Sequence, residues 1–139
     1  MTARAATRTQ ACSEQEAKTR LAHARKFLEV AELVANQGDD LEYSSAAAAL
    51  AVLAGIAASD AACCKALGRR SRGQDHRAAL ELVEQVEPGG GNASKALRRL
   101  LTLKDEAHYG LFDVSGADLK TALRQARTLV DFGAGVLNR

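Results

Sequence analysis

Residues 44–67, "SSAAAALAVLAGIAASDAACCKAL", are apolar almost all the way round a helix. A surface helix needs one polar face, so a segment without one has to be surrounded by other elements. Its alanines and Gly55 keep it thin enough for neighbours to approach closely. The uninterrupted apolar run, Ala46 to Ala58, is shorter than the roughly 20 residues a bilayer span needs, so a buried helix and no membrane partner are expected. This one segment demands a layer of amphipathic helices around it.

The rest of the chain supplies that layer. Ser13 followed by Glu16 is a capping-box pair, and apolar residues recur from Ala17 through Leu21, Ala24, Leu28 and Ala31 at helical spacing. The first helix is predicted over 14–36 and ends at "NQGDD". The apolar helix follows over 41–67, stopped by Gly68. A third is predicted over 75–86, with Ala79, Leu80, Val83 and Val86 inward. After the break "EPGGGN", a fourth is predicted over 93–109, with Leu97, Leu100 and Leu101 inward. Ser115 with Asp118 caps a fifth, striped by Leu119, Ala122, Ala126, Leu129, Gly133 and Val136. With one proline, no β-branched run and no hairpin signal, the predicted fold is all-α: a five-helix up-and-down bundle. It forms a single domain over 13–139, preceded by a disordered tail over 1–12.

A net charge of +2 excludes a strongly basic nucleic-acid coater but leaves room for a local basic patch. Three cysteines make no secreted disulfide framework. Cys12 and the adjacent pair Cys63–Cys64 are expected to be reduced thiols of a cytoplasmic protein. "MTARAATRTQ" lacks the apolar segment of a signal peptide. The histidines and cysteines have no metal-ligand spacing, so no metal and no cofactor are expected.

Polar residues that interrupt the apolar stripes carry the functional signal. In the fourth predicted helix, Leu97, Leu101, Lys104 and His108 follow one another at steps of four, three and four. His76 stands one turn ahead of Ala79 and Leu80. Ser59 and Asp60 break the apolar helix itself. A buried Asp60 carboxylate requires a cation or donors, and His76, Lys104, His108, Arg69, Arg70 and Arg72 are the candidates. A register-fixing polar network, a ligand or catalytic site, and partial exposure at a helix end all remain open. His23 is expected on the surface.

The stretch "ALGRRSRGQDH" (66–76) joins the second and third predicted helices. It clusters basic residues around Gly68 and Gly73, where backbone amides can approach an anion. It lacks P-loop spacing and has no aromatic residue for base stacking. A phosphate grip and a solvated basic turn are both compatible with it.

"YSSAAAALAVLAGIAASDA" (43–61) resembles the Ala-rich second helix of HEPN domains. "DHRAALELV" (75–83) is similar to that family's histidine-led third helix, and "LKDEAHYG" (103–110) to the segment before its last helix. The resemblance spans residues 14–135. It implies a helical bundle, often dimeric, that binds RNA or a nucleotide, frequently in a toxin–antitoxin or defence setting. Many members are metal-independent ribonucleases using Arg, four to six residues, then His. Here the positions that would hold that Arg ahead of His108 are Leu101, Thr102 and Leu103. Lys104 stands one residue too close and lacks the guanidinium fork. Arg70 and Arg69 have the spacing to His76, but between the second and third helices.

The resulting expectation is a homodimeric, non-catalytic binding module for RNA or a nucleotide. Asp60, Arg69, Arg70, Arg72, His76, Lys104, His108 and Tyr109 are its candidate ligand-binding residues. The alternatives are a divergent ribonuclease, with His108 or His76 as base and Lys104 or Arg70 on the phosphate, and a structural protein that docks a partner chain.

Overall fold

Capping chemistry sets most of the helix boundaries. The computed structural model describes residues 9–38, 40–72, 76–109 and 113–139, without the side chains of residues 41 and 106–109. Helix α1 (Glu14–Ala35) starts at the expected capping box: Glu16 N–H donates to Ser13 Oγ at 3.1 Å and Ser13 N–H to Glu16 Oε1 at 3.0 Å. Asp40 accepts from Glu42 N–H at 3.0 Å to start α2 (Leu41–Leu67), and Gly68, at φ +71°, ends it in the left-handed conformation. Ser115 accepts from Asp118 N–H at 3.1 Å to start α5 (Gly116–Leu137). Between them lie α3 (His76–Glu84) and α4 (Gly90–Tyr109).

Helix α2 is the axis of the all-α bundle, packed along its length by α1 and α5 and flanked by α4. Ala47, Ala51, Ala54, Ala57, Ala58 and Ala61 are fully buried. The close approach expected at Gly55 is present. A Cβ there would overlap Leu100 Cδ1 of α4 and lie 3.1 Å from Leu129 Cδ1 of α5. Residues 42–67 are also long and apolar enough to cross a membrane, but 72% of the most apolar window is buried against the other helices.

Three expectations are corrected. Residues 9–12 are not part of a tail. Thr9–Ala11 form strand β1, antiparallel to β2 (Arg69–Ser71), with Thr9 opposite Ser71, Gln10 opposite Arg70 and Ala11 opposite Arg69. Three-residue strands carry no readable alternation, so neither was visible in the sequence. Second, Cys12 and Cys64 form a disulfide, with Cα atoms 5.4 Å apart, and only Cys63 stays a buried free thiol. Their 52-residue separation in sequence is closed by the sheet, which continues into a Cys12 N–H bond to Gly68 O at 3.0 Å.

Third, the two short helices have different bounds. α3 begins at His76 and stops at Glu84, short of Val86, while α4 begins within the glycine run at Gly90. A Cβ on Gly90 would stand 2.6 Å from Val83 O and 2.7 Å from Glu84 O. The glycine that reads as a breaker is thus what lets α4 start against the end of α3.

Candidate functional site

The gap between α2, β2, α3 and α4 is a cavity of about 250 Å³. Its floor is aliphatic. Leu82 and Val83 of α3 and Leu97 and Leu101 of α4 face it and are buried. Ser94 Oγ donates to Leu80 O at 3.1 Å and ties the two helices together beside it. From α2 come Ile56, Ser59 and Cys63. Ser59 Oγ donates back to Gly55 O at 2.9 Å, which satisfies its hydroxyl within the helix.

The rim is polar and drawn from four elements: Asp60 of α2, Arg70 and Ser71 of β2, His76 at the start of α3, and Lys104 of α4, with Leu53 at the mouth. The inward step from Leu97 to Leu101 to Lys104 that the sequence shows carries Lys104 to the same cavity as His76. Both are half-buried, and among the described residues neither takes part in an ion pair.

Among the described residues, Asp60 makes no ion pair with the cations named from the sequence, although Arg70 acts on it from farther off. Its Oδ2 accepts from Arg20 Nη2 of α1 at 3.0 Å. Burial pushes the Asp60 carboxyl above its ordinary range, while the Arg20 guanidinium, and more weakly Arg70, pull it back. Arg20 stands 40 residues from Asp60 in sequence, on the first helix, where no local pattern distinguishes it from the other charged side chains. Burial, followed by the nearby Asp60 charge, pushes the Cys63 thiol up to about 12, with Arg69 opposing.

Residues 69–71 of the basic stretch are held by strand pairing, while residues 73–75, Gly73 among them, lie outside the described residues. Arg70 Nη2 donates to Gln10 Oε1 at 3.3 Å across the two-stranded sheet. Glu14, at the start of α1, pairs with Lys65 of α2, and the disulfide at Cys12, the residue after β1, fastens that strand to α2. Arg69 instead reaches Gln85 Oε1 at 3.3 Å, and exposed Arg72 is not among the lining residues, so these two stand apart from the cavity. The side chains of His108 and Tyr109 lie outside the described residues. His23 is exposed, as expected.

Sequence reasoning missed Ser71. The residue lines the cavity, and its Oγ is buried without a hydrogen-bond partner among the described residues. The orphaned donor is a property of its surroundings, so no pattern in the chain could have marked it. Among the described residues, no group of three His, Cys, Asp or Glu side chains could hold a metal ion. No family model matches this chain, and no curated protein matches it either.

Proposed function

We propose that this domain is a binding module for one small phosphate-bearing molecule, of the nucleotide class that its HEPN-like helices suggest, held in the α2–β2–α3–α4 cavity. The observation that carries the reading is a charge imbalance. Arg70, His76 and Lys104 arrive from three separate elements, whereas the one carboxylate among the described lining residues, Asp60, already has its counter-ion in Arg20. Among the described residues none of these three cations is ion-paired with a carboxylate, and such groups around a partly enclosed apolar space suit an anionic ligand. The volume of about 250 Å³ lies below the roughly 300–1,000 Å³ of drug-sized sites, which favours a single nucleotide unit over a strand.

A second reading, as a divergent ribonuclease, draws on one observation. Arg70 and His76, which have the Arg-to-His spacing of the family's motif, line the same cavity. His76 would then move the proton of a 2′-hydroxyl while Arg70 steadies the phosphate.

Calorimetry with mononucleotides and short RNA, wild type beside Arg70→Ala and Lys104→Ala, tests both readings. Binding that weakens in each variant and falls with added salt supports the module. Absence of binding to either ligand class sinks it. Strand cleavage in EDTA that disappears in His76→Ala would establish the enzyme instead.

A further inference from the structure

The cavity's polar and apolar halves are arranged by depth. Val83 and Leu97, at the floor, are each 1% exposed, whereas Leu53, at the mouth, is 46% exposed. Arg70, His76 and Lys104 are half-buried between these extremes. The floor has little unmet polar demand, because Ser59 Oγ is bonded to Gly55 O. The wall does have one, in Ser71 Oγ. Burying a hydroxyl without a partner is unfavourable, and native proteins rarely leave one so. The strand pair fixes the backbone that carries this hydroxyl: Ser71 is opposite Thr9 in the β1–β2 ladder, one residue from Arg70.

Resting on the phosphate reading above, we infer that the ligand is an organic phosphomonoester that enters body first, and that Ser71 is a direct ligand contact. The apolar body lies on the aliphatic floor. The phosphate stays at the rim, where Ser71 Oγ donates a hydrogen bond to one of its oxygens and Arg70 and Lys104 neutralise it. Ser71 supplies the neutral donor of that set. Inorganic phosphate, which has no body, leaves the floor unfilled and forgoes the apolar burial.

The test is titration of the intact, disulfide-bonded chain with adenosine 5′-monophosphate, n-hexyl phosphate and inorganic phosphate, wild type beside Ser71→Ala, with thermal melting of both proteins. At least one of the two organic phosphates is expected to bind tenfold or more tightly than inorganic phosphate, and which one does identifies the body as nucleobase or alkyl chain. Ser71→Ala is expected to weaken that binding about tenfold or more, the scale of a hydrogen bond to a charged group, with Tm unchanged or raised. Inorganic phosphate binding as tightly as both organic probes overturns the body-first orientation. Wild-type affinity in Ser71→Ala, or a lowered Tm, overturns the assignment of Ser71 while leaving the phosphate reading intact. If the wild type binds none of the three, the phosphate reading itself falls, and this inference with it.

Discussion

The two sides of α2 are built to different rules. Towards α1 and α5, alanines and glycines bring backbones together until no space is left. A Cβ on Gly133 of α5 would stand 3.1 Å from Ala58 O and 3.3 Å from Leu21 Cδ1. Towards β2 and α3 the same helix is hollow. α3 is nine residues long and packs chiefly on α4 rather than on α2, so it bridges a gap that it does not fill. Small side chains close one face because long helices lie along it. They leave the other open because only a short helix and a strand cross it. A space kept inside an otherwise tightly packed bundle, and rimmed by charge, has the form of a binding site rather than a packing fault.

The comparison can be broken in several ways, beginning with the bond that spans both sides. The Cys12–Cys64 disulfide fastens β1, the partner of the strand that walls the hollow side, to the central helix. Cys12→Ser opens a loop whose ends are 52 residues apart, and loss of about 2–4 kcal/mol is expected in chemical denaturation. The Arg69–Ser71 amides should then exchange with solvent faster. If those amides keep their protection, the disulfide does not brace the cavity wall.

Next in size is the response to added volume. Gly133→Ala on the packed side should cost about 1–3 kcal/mol, since the new methyl meets a backbone carbonyl that cannot step aside. Ala79→Val on the hollow side should be neutral or stabilising by about 1 kcal/mol while weakening ligand binding. Equal losses from the two substitutions would abolish the distinction between the faces.

A smaller effect concerns Asp60, whose folded-state pKa is raised above 3.8 chiefly by burial, against the pull of Arg20. The folded protein therefore holds this proton more tightly than the unfolded chain. Ionising Asp60 costs stability as pH rises from about 4 through the folded-state pKa, and below that window the cost is absent. Asp60→Asn, which can still accept from Arg20, should remove this component. Urea melts from pH 4 to 7 should show the variant gaining on wild type as pH rises, and a gap that narrows instead would contradict the burial argument.

The smallest effect is chemical. With its thiol held up to about 12, Cys63 should react with iodoacetamide at pH 8 far more slowly in the folded protein than in urea. Comparable rates would mean that the floor of the cavity is open to solvent and to charge.

How far the sequence reached is clear from particular residues. The capping pairs at Ser13 and Ser115, the stop at Gly68 and the all-round apolar character of residues 44–67 are local properties, so the helices and the central place of α2 are legible in the sequence. The positions of His76 and Lys104 were legible for a related reason. A helix carries its period forward, so a polar residue on an apolar stripe must arrive at the interior or its edge.

Other features depend on which distant segments meet, and on that the chain alone is silent. Arg20 reaches Asp60 across 40 residues, and Cys12 reaches Cys64 across 52. The three-residue strands exist because each finds the other, and Gly90 opens α4 because the end of α3 lies against it. Ser71 is the extreme case. Its Oγ is buried without a partner among the described residues, and no local pattern marks that. Periodicity and caps act within one element, so the sequence by itself determined the helices and the faces they bury. Cross-element pairing, and the cavity left where a short helix spans a wide gap, are decided only when all five helices and the strand pair close together.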